Sequence, residues 1–269
     1  MIVSIPDDFD LNKIISSGQC FRAREIENEL VRFIMGKNVL YMQEVGNNEF
    51  SVSCNLQQWN DIWKEYFDLD RNYSAIRKLV VDYNEFISAS VEAGKGLRIL
   101  KQDPWEMLIA FIVSQRKNIP AIVKSIEALA HLYGEEIQTD YESVYAFPSP
   151  FEMYSATDED LRKCGLGYRV PYVKDAIRMV TAGLLKLEEI TAYNTIDLLA
   201  ELQNVYGVGK KVANCVALFA YGRTSCVPVD VWISRAIQEE CSGDNPFPQY
   251  GEYAGIIQQY VFYYQKSRH

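Results

Sequence analysis

Between residues 20 and 54 the apolar and polar positions alternate in four runs: 20–26, 30–35, 39–45 and 49–54. A period of two marks a strand with one buried face. The Glu-Asn-Glu, Gly-Lys-Asn and Gly-Asn-Asn stretches between the runs are turn sequences, so an antiparallel meander is predicted. Residues 9–15 form a short helical or extended lead-in, followed by a turn over Ser16-Ser17-Gly18-Gln19.

From residue 56 the period lengthens. Trp59, Ile62, Trp63, Tyr66 and Phe67 fall at helical spacing, and 73–89 reads as a second amphipathic helix. Gly94 and Gly96 break the pattern, and Asp103-Pro104 opens a new helix with proline in its first turn. The rest is predicted helical, over 104–115, 119–132, 150–156, 158–164, 169–182, 195–205, 210–221, 231–241 and 250–266. Gly134, Phe147-Pro148, 165–167, Gly183, 207–209, Gly222 and 243–248 separate these helices. The fold class is α+β: an antiparallel β-sheet domain over 1–100 followed by an all-α domain over 101–269.

The 269 residues suit about two domains, and 48% apolar with 23% charged residues is an ordinary globular balance. No apolar run approaches the roughly 18 residues of a membrane span. The first residues, MIVSIPDDFD, carry no basic segment ahead of an apolar one, so a cytoplasmic location is expected. Cys20, Cys54, Cys164, Cys215, Cys226 and Cys241 are scattered, without zinc spacing, and read as reduced thiols. The net charge of −9 argues mildly against nucleic acid, although helix N-termini and a small basic patch can hold a backbone under an acidic surface.

The chemistry concentrates in 202–237. A Gly207-Val208-Gly209 turn joins two apolar-periodic runs, Lys211 follows it, and Asp230 comes nineteen residues later, before another helical pattern. Bare N–H groups at a helix start suit a phosphate. Alone, such a turn is as readily an ordinary helix connection. An exposed lysine is ordinarily just solvated. Here the positive helix end and partial burial would both be expected to disfavour the ammonium, and a neutral amine is a nucleophile. Asp230 fits a plain N-cap, which also holds a carboxylate rigidly for proton transfer.

Gly207-Val-Gly-Lys-Lys-Val-Ala-Asn-Cys followed by Val227-Pro-Val-Asp-Val resembles the helix-hairpin-helix DNA glycosylase superfamily, and within it the 8-oxoguanine DNA glycosylase/AP lyases. Ser17-Gly-Gln-Cys-Phe-Arg, Asp103-Pro-Trp-Glu, Phe147-Pro-Ser, Cys164-Gly-Leu-Gly-Tyr-Arg and Tyr253-Ala-Gly-Ile-Ile-Gln-Gln-Tyr-Val-Phe carry the likeness, in order, through nearly the whole chain.

The resemblance implies a bifunctional enzyme that flips the damaged base out of duplex DNA. Lys211 would attack the anomeric carbon and displace the base, and Asp230 would deprotonate the lysine. The Schiff base would then let the strand be cut by β-elimination. Gly18 would present a carbonyl to the hydrogen that distinguishes 8-oxoguanine from guanine. Gln258 would bond the Watson–Crick edge, Phe262 would stack on the ring, and Cys215 would pack opposite. Gly207, Gly209, Arg116, Asn118, Tyr168 and Arg169 would contact DNA, the last two as wedges beside the lesion. Without the family match, Gly18 is a turn glycine, Gln258 a solvated glutamine, Phe262 a core residue and Cys215 a structural thiol.

Four positions depart from the family pattern. Arg116 and Lys117 stand where asparagines are expected, Ala121 where an arginine reads the opposite cytosine, and Trp232 where a histidine helps hold phosphate. A weak opposite-base preference follows. Only Cys241 lies beyond Asp230, so the four-cysteine iron–sulfur site of some relatives is absent. No metal or cofactor is expected, and a monovalent cation at the hairpin carbonyls is left open. The expected partner is damaged double-stranded DNA, bound by a monomer in the cytoplasm, at the nucleoid in a bacterium, with no membrane. Two rivals remain: a glycosylase for another damaged purine, and a lesion-binding protein without catalysis, which would need neither Lys211 nor Asp230.

Overall fold

The computed structural model describes residues 1–80 and 84–268. The predicted meander is present as β2 (Arg24–Glu27), β3 (Leu30–Met35), β4 (Asn38–Gly46) and β5 (Glu49–Val52), preceded by β1 (Ile2–Ser4) and α1 (Leu11–Ser16). β1 has three residues, too few for an alternation to register in the sequence. The sheet order is β1-β5-β4-β3-β2, and β1 with β5, β4 with β5 and β2 with β3 are antiparallel. Ile2 faces Ser51 and Met42 faces Val52. The central strands do not keep one polar face: Val31, Arg32, Phe33 and Ile34 are all buried.

The first long-period run begins as α2 (Leu56–Gln58), widens into a π turn over Trp59–Trp63 and ends as α3 (Lys64–Tyr66). Phe33 packs edge-on against Tyr66 and Phe67, with ring centroids 5.9 and 5.0 Å apart, joining sheet to helix. The single helix expected over 73–89 is instead α4 (Tyr73–Lys78) and α5 (Glu85–Ala93), each started by an asparagine cap, Asn72 and Asn84. Its middle, 81–83, lies outside the described residues.

Next come α6 (Pro104–Ser114), α7 (Ile119–Tyr133), β6 (Glu136–Gln138), β7 (Ser143–Tyr145), α8 (Asp158–Lys163), α9 (Val170–Thr181), α10 (Thr195–Gln203), α11 (Lys210–Phe219), α12 (Val231–Glu240) and α13 (Ala254–Ser267). Two expectations fail here. The β6–β7 hairpin interrupts the stretch expected to be all helical; the Thr139 hydroxyl accepts the Glu142 N–H at 3.0 Å and closes its turn. The helix expected over 150–156 is a series of turns: Ser149 and Glu152 cap each other, but the structure does not propagate beyond single turns.

Two compact units result. One comprises Met1–Phe33, Leu40–Lys101 and Gly222–His269, the other Ile34–Val39 and Gln102–Tyr221. In the first, α13 packs on α5 and α12; in the second, α6 packs on α7, α9 and α11, and α11 on α10. All six cysteines are buried and none is in a disulfide among the described residues; burial pushes the Cys226 thiol up to about 11. Among the described residues no helix is long and apolar enough to cross a membrane.

Candidate functional site

In the second unit, α10 and α11 form the predicted hairpin, and its two glycines have different reasons. Gly207 has φ +85°, and a Cβ there would lie 2.4 Å from the Tyr172 ring. Its place is therefore demanded by backbone and packing together. The neighbouring Tyr206 N–H donates to Asp175 Oδ2 at 2.8 Å, and the Gly207 carbonyl accepts from Gln115 Nε2 at 3.2 Å. Gly209 is extended, and a Cβ there would meet nothing within 4 Å. Neither a left-handed backbone nor internal packing requires glycine at that position, and the space beside it is open. Gly209 caps α11 without a side-chain bond, so the first N–H groups of the helix remain available to an anion.

Lys211 is half-buried in the first turn of α11. Its Nζ lies 5.2 Å from the centroid of the Phe111 ring and donates to Ser114 Oγ at 3.5 Å. Phe111 is itself stacked on Phe219, 5.5 Å between centroids, so the ring under the amine is fixed by the core. Cys215, one turn further along α11, is buried.

The loop after α6 carries Arg116, exposed and with φ +51°. Lys117 does not reach outward; its Nζ donates to Ser125 Oγ at 2.6 Å and to the Gly165 carbonyl at 2.7 Å. Burial and the nearby Arg169 charge lower its pKa. Asn118 is exposed, but its side chain is engaged as the N-cap of α7, accepting from Ala121 N at 3.0 Å. Tyr168 is half exposed. Arg169, expected beside it on the DNA, is turned inward. It is buried and donates to the Gln115 carbonyl, through Nε at 2.9 Å and through Nη2, and to the Leu166 carbonyl at 3.2 Å. Three of its five N–H donors are held by carbonyls, so the guanidinium braces the loop from inside.

In the first unit, Asp230 is the N-cap of α12. Its Oδ1 accepts from Trp232 N at 3.0 Å and Ile233 N at 2.9 Å, and Oδ2 takes no part in the cap. Trp232 lies half-buried beneath the Arg235 guanidinium, 5.5 Å from its ring centroid.

The same unit brings the expected base-reading residues of the two chain ends together. Gly18 has φ +79°, in the left-handed region that favours glycine. On either side of it the chain is pinned. Gln259 Nε2 donates to the Ser17 carbonyl at 2.9 Å, and the fully buried Gln19 accepts from Leu100 N at 2.8 Å and donates to the Arg98 carbonyl at 2.8 Å. Lys266 Nζ holds the Ser16 carbonyl at 2.9 Å. Gln258 is not a solvated glutamine: it is 3% exposed, and its Oε1 has no hydrogen-bond partner among the described residues. A buried amide oxygen without a donor is costly, and an incoming N–H group would relieve that cost. Phe262, one turn on, is half-buried on the same face.

Ser114, Gln115, Phe111 and Tyr172 are the residues that sequence reasoning passed over as individuals. The first two directly precede Arg116, but nothing in a polar pair after an apolar run tells which carbonyl or amine it will meet.

Residues 1–108 match the N-terminal domain model of 8-oxoguanine DNA glycosylase, and 109–253 match the HhH-GPD superfamily of base excision DNA repair proteins. A probable N-glycosylase/DNA lyase of Methanothermobacter thermautotrophicus is 30% identical over 95% of this chain and 93% of its own length. The 8-oxoguanine glycosylase/lyase of Clostridium acetobutylicum, solved with double-stranded DNA containing cytosine opposite 8-oxoguanine, is 32% identical with a TM-score of 0.90, covering 100% of this chain and 98% of that one. Its apo form gives 33% identity and a TM-score of 0.91 over 98% and 95% of the two chains.

Proposed function

The chain belongs to the 8-oxoguanine DNA glycosylases of the helix-hairpin-helix base excision repair superfamily, and on that premise we propose that Lys211 is the nucleophile of a combined glycosylase and lyase reaction. The observation that carries this reading is the setting of Lys211. The amine stands half-buried against a core-fixed ring, directly after an uncapped helix start.

The hairpin N–H groups at Gly209 would bind a backbone phosphate, placing the sugar within reach of the amine. The neutral amine attacks C1′ as the C–N bond to the base breaks, its electron pair leaving on the base, which takes up a proton; the C1′–O4′ bond then opens, the amine nitrogen giving up a proton as O4′ gains one, and the Schiff base forms. Loss of the C2′ proton from the resulting Schiff base then expels the 3′ phosphate, a β-elimination. Asp230 is assigned the proton taken from the lysine, because its cap uses Oδ1 and leaves Oδ2 for a second role. No step calls for a metal or cofactor.

Substrate choice is assigned to Gly18, Gln258 and Phe262. The unpartnered Gln258 Oε1 supports this, since the Watson–Crick edge of 8-oxoguanine offers N–H donors. Cys215 is assigned to the opposite ring face. The partner is damaged duplex DNA, bound by a monomer in the cytoplasm.

An excision assay on a duplex with one 8-oxoguanine tests this reading. Release of the base together with a strand ending in a 3′ unsaturated aldehyde is expected. Base release that leaves an intact abasic strand would remove the lyase half of the reading.

A further inference from the structure

Gln115 caps the C-terminal end of α6 just before Arg116, and several groups of the second unit converge on it. Its carbonyl accepts Nε of Arg169 at 2.9 Å, Nη2 of the same guanidinium, and the Tyr168 hydroxyl at 3.3 Å. Its side-chain amide donates to the Gly207 carbonyl at 3.2 Å and to the Ile112 carbonyl at 3.2 Å. One residue back, Ser114 Oγ meets the Lys211 amine at 3.5 Å.

We propose that Gln115 is a positioning residue that holds the hairpin turn, the Tyr168–Arg169 loop and the end of α6 in one register. The inference rests on Lys211 being the nucleophile. A carbonyl bond fixes the plane of its peptide, and the Gly207 peptide aims the turn that leads to the Gly209 and Lys210 N–H groups. The amide bond from Gln115 therefore fixes the direction of the phosphate grip. Ser114, adjacent in the chain, touches the amine, so grip and amine keep a constant offset.

Arg116 gives an independent sign of this device. It holds a left-handed backbone, φ +51°, that a non-glycine residue keeps only where its surroundings over-determine it. Both neighbours are locked: Gln115 by charge-assisted bonds from Arg169, Lys117 by Ser125 and Gly165. The brackets present the Arg116 side chain outward, where it is exposed.

The test compares Gln115→Met, which keeps shape and charge but loses the donor, with Gln115→Glu, which sets an acceptor against the Gly207 carbonyl. Three quantities are measured on the full chain: the melting temperature, the Kd for a duplex bearing a non-cleavable abasic analogue, and the single-turnover excision rate at saturating duplex. Melting within about 3 °C of wild type is expected. The rate at saturation should fall about tenfold for Met and about a hundredfold for Glu, the scale of a misplaced reacting group. The Kd should rise at least about threefold in both variants. Rates and Kd within twofold of wild type, or losses matched by a proportional drop in melting temperature, would overturn the proposal. If the wild-type protein excises nothing, the Lys211 reading fails instead, and the Kd values still decide the role of Gln115.

Discussion

Gln259 on α13 donates to the carbonyl of Ser17 at 2.9 Å, joining two residues 242 apart in sequence. Each is the chain neighbour of an assigned base-reading residue, Gly18 and Gln258. The bond fixes the plane of the Ser17–Gly18 peptide, the one that leads into the Gly18 carbonyl that would sort 8-oxoguanine from guanine.

Gln259→Leu leaves the Ser17 carbonyl buried without this donor, a cost of about 1–3 kcal/mol. Melting should reveal that loss, and the ratio of excision on 8-oxoguanine over guanine should fall. A variant that melts lower yet discriminates as well as wild type would detach Gly18 from base reading.

Asp230 has two separable roles. Asparagine caps a helix about as well as aspartate, so Asp230→Asn should cost under about 1 kcal/mol of stability. Excision should nevertheless fall at least about a hundredfold, because the amide cannot take a proton. Asp230→Ala should lose both, the cap being worth about 1 kcal/mol. Paired melts and single-turnover rates measure this, and an active Asp230→Asn protein would leave Asp230 as a cap alone.

The two hairpin glycines should part company. Gly207→Ala meets the Tyr172 ring and a left-handed φ together, and should destabilise the fold by about 1–3 kcal/mol. Gly209→Ala has open space and an extended backbone, so stability should fall by no more than about 1 kcal/mol, the poorer N-cap that alanine makes. Its added methyl should instead weaken duplex binding about fivefold, equivalent to ~1 kcal/mol. Calorimetry and titration of a labelled duplex separate the two, and unchanged binding by Gly209→Ala would argue against a phosphate there.

The half-buried Ala121 offers no side-chain donor to a base opposite the lesion, and Arg116 is exposed on a flexible stem. Excision opposite cytosine and opposite adenine should differ by less than about tenfold, the worth of about one hydrogen bond to a charged group. Rates on four duplexes, one for each opposite base, measure it. A preference far above tenfold for cytosine would require a reader other than residue 121.

Much of the fold was legible because it is written in local periods. Strand β3 matches its expected bounds, Leu30–Met35, and α6 begins at the proline that marked it. The strand β1, the β6–β7 hairpin and the turns after Pro150 were not legible, since three-residue strands and single turns carry too little pattern. For the site, Lys211 and the glycine turn could be read from spacing and resemblance. What each glycine is for could not, because the Tyr172 ring that excludes a side chain at Gly207 comes from another helix. The inward turn of Arg169 and the burial of Gln258 are likewise products of long-range packing, which a one-dimensional pattern of polar residues does not encode.

The central claim, that Lys211 forms the covalent link to DNA, is tested most directly by borohydride trapping on an 8-oxoguanine duplex. The account predicts a protein–DNA adduct for the wild-type chain and its loss in Lys211→Gln, with duplex binding retained. An adduct that persists in Lys211→Gln, or base excision by wild type with no adduct, would contradict it.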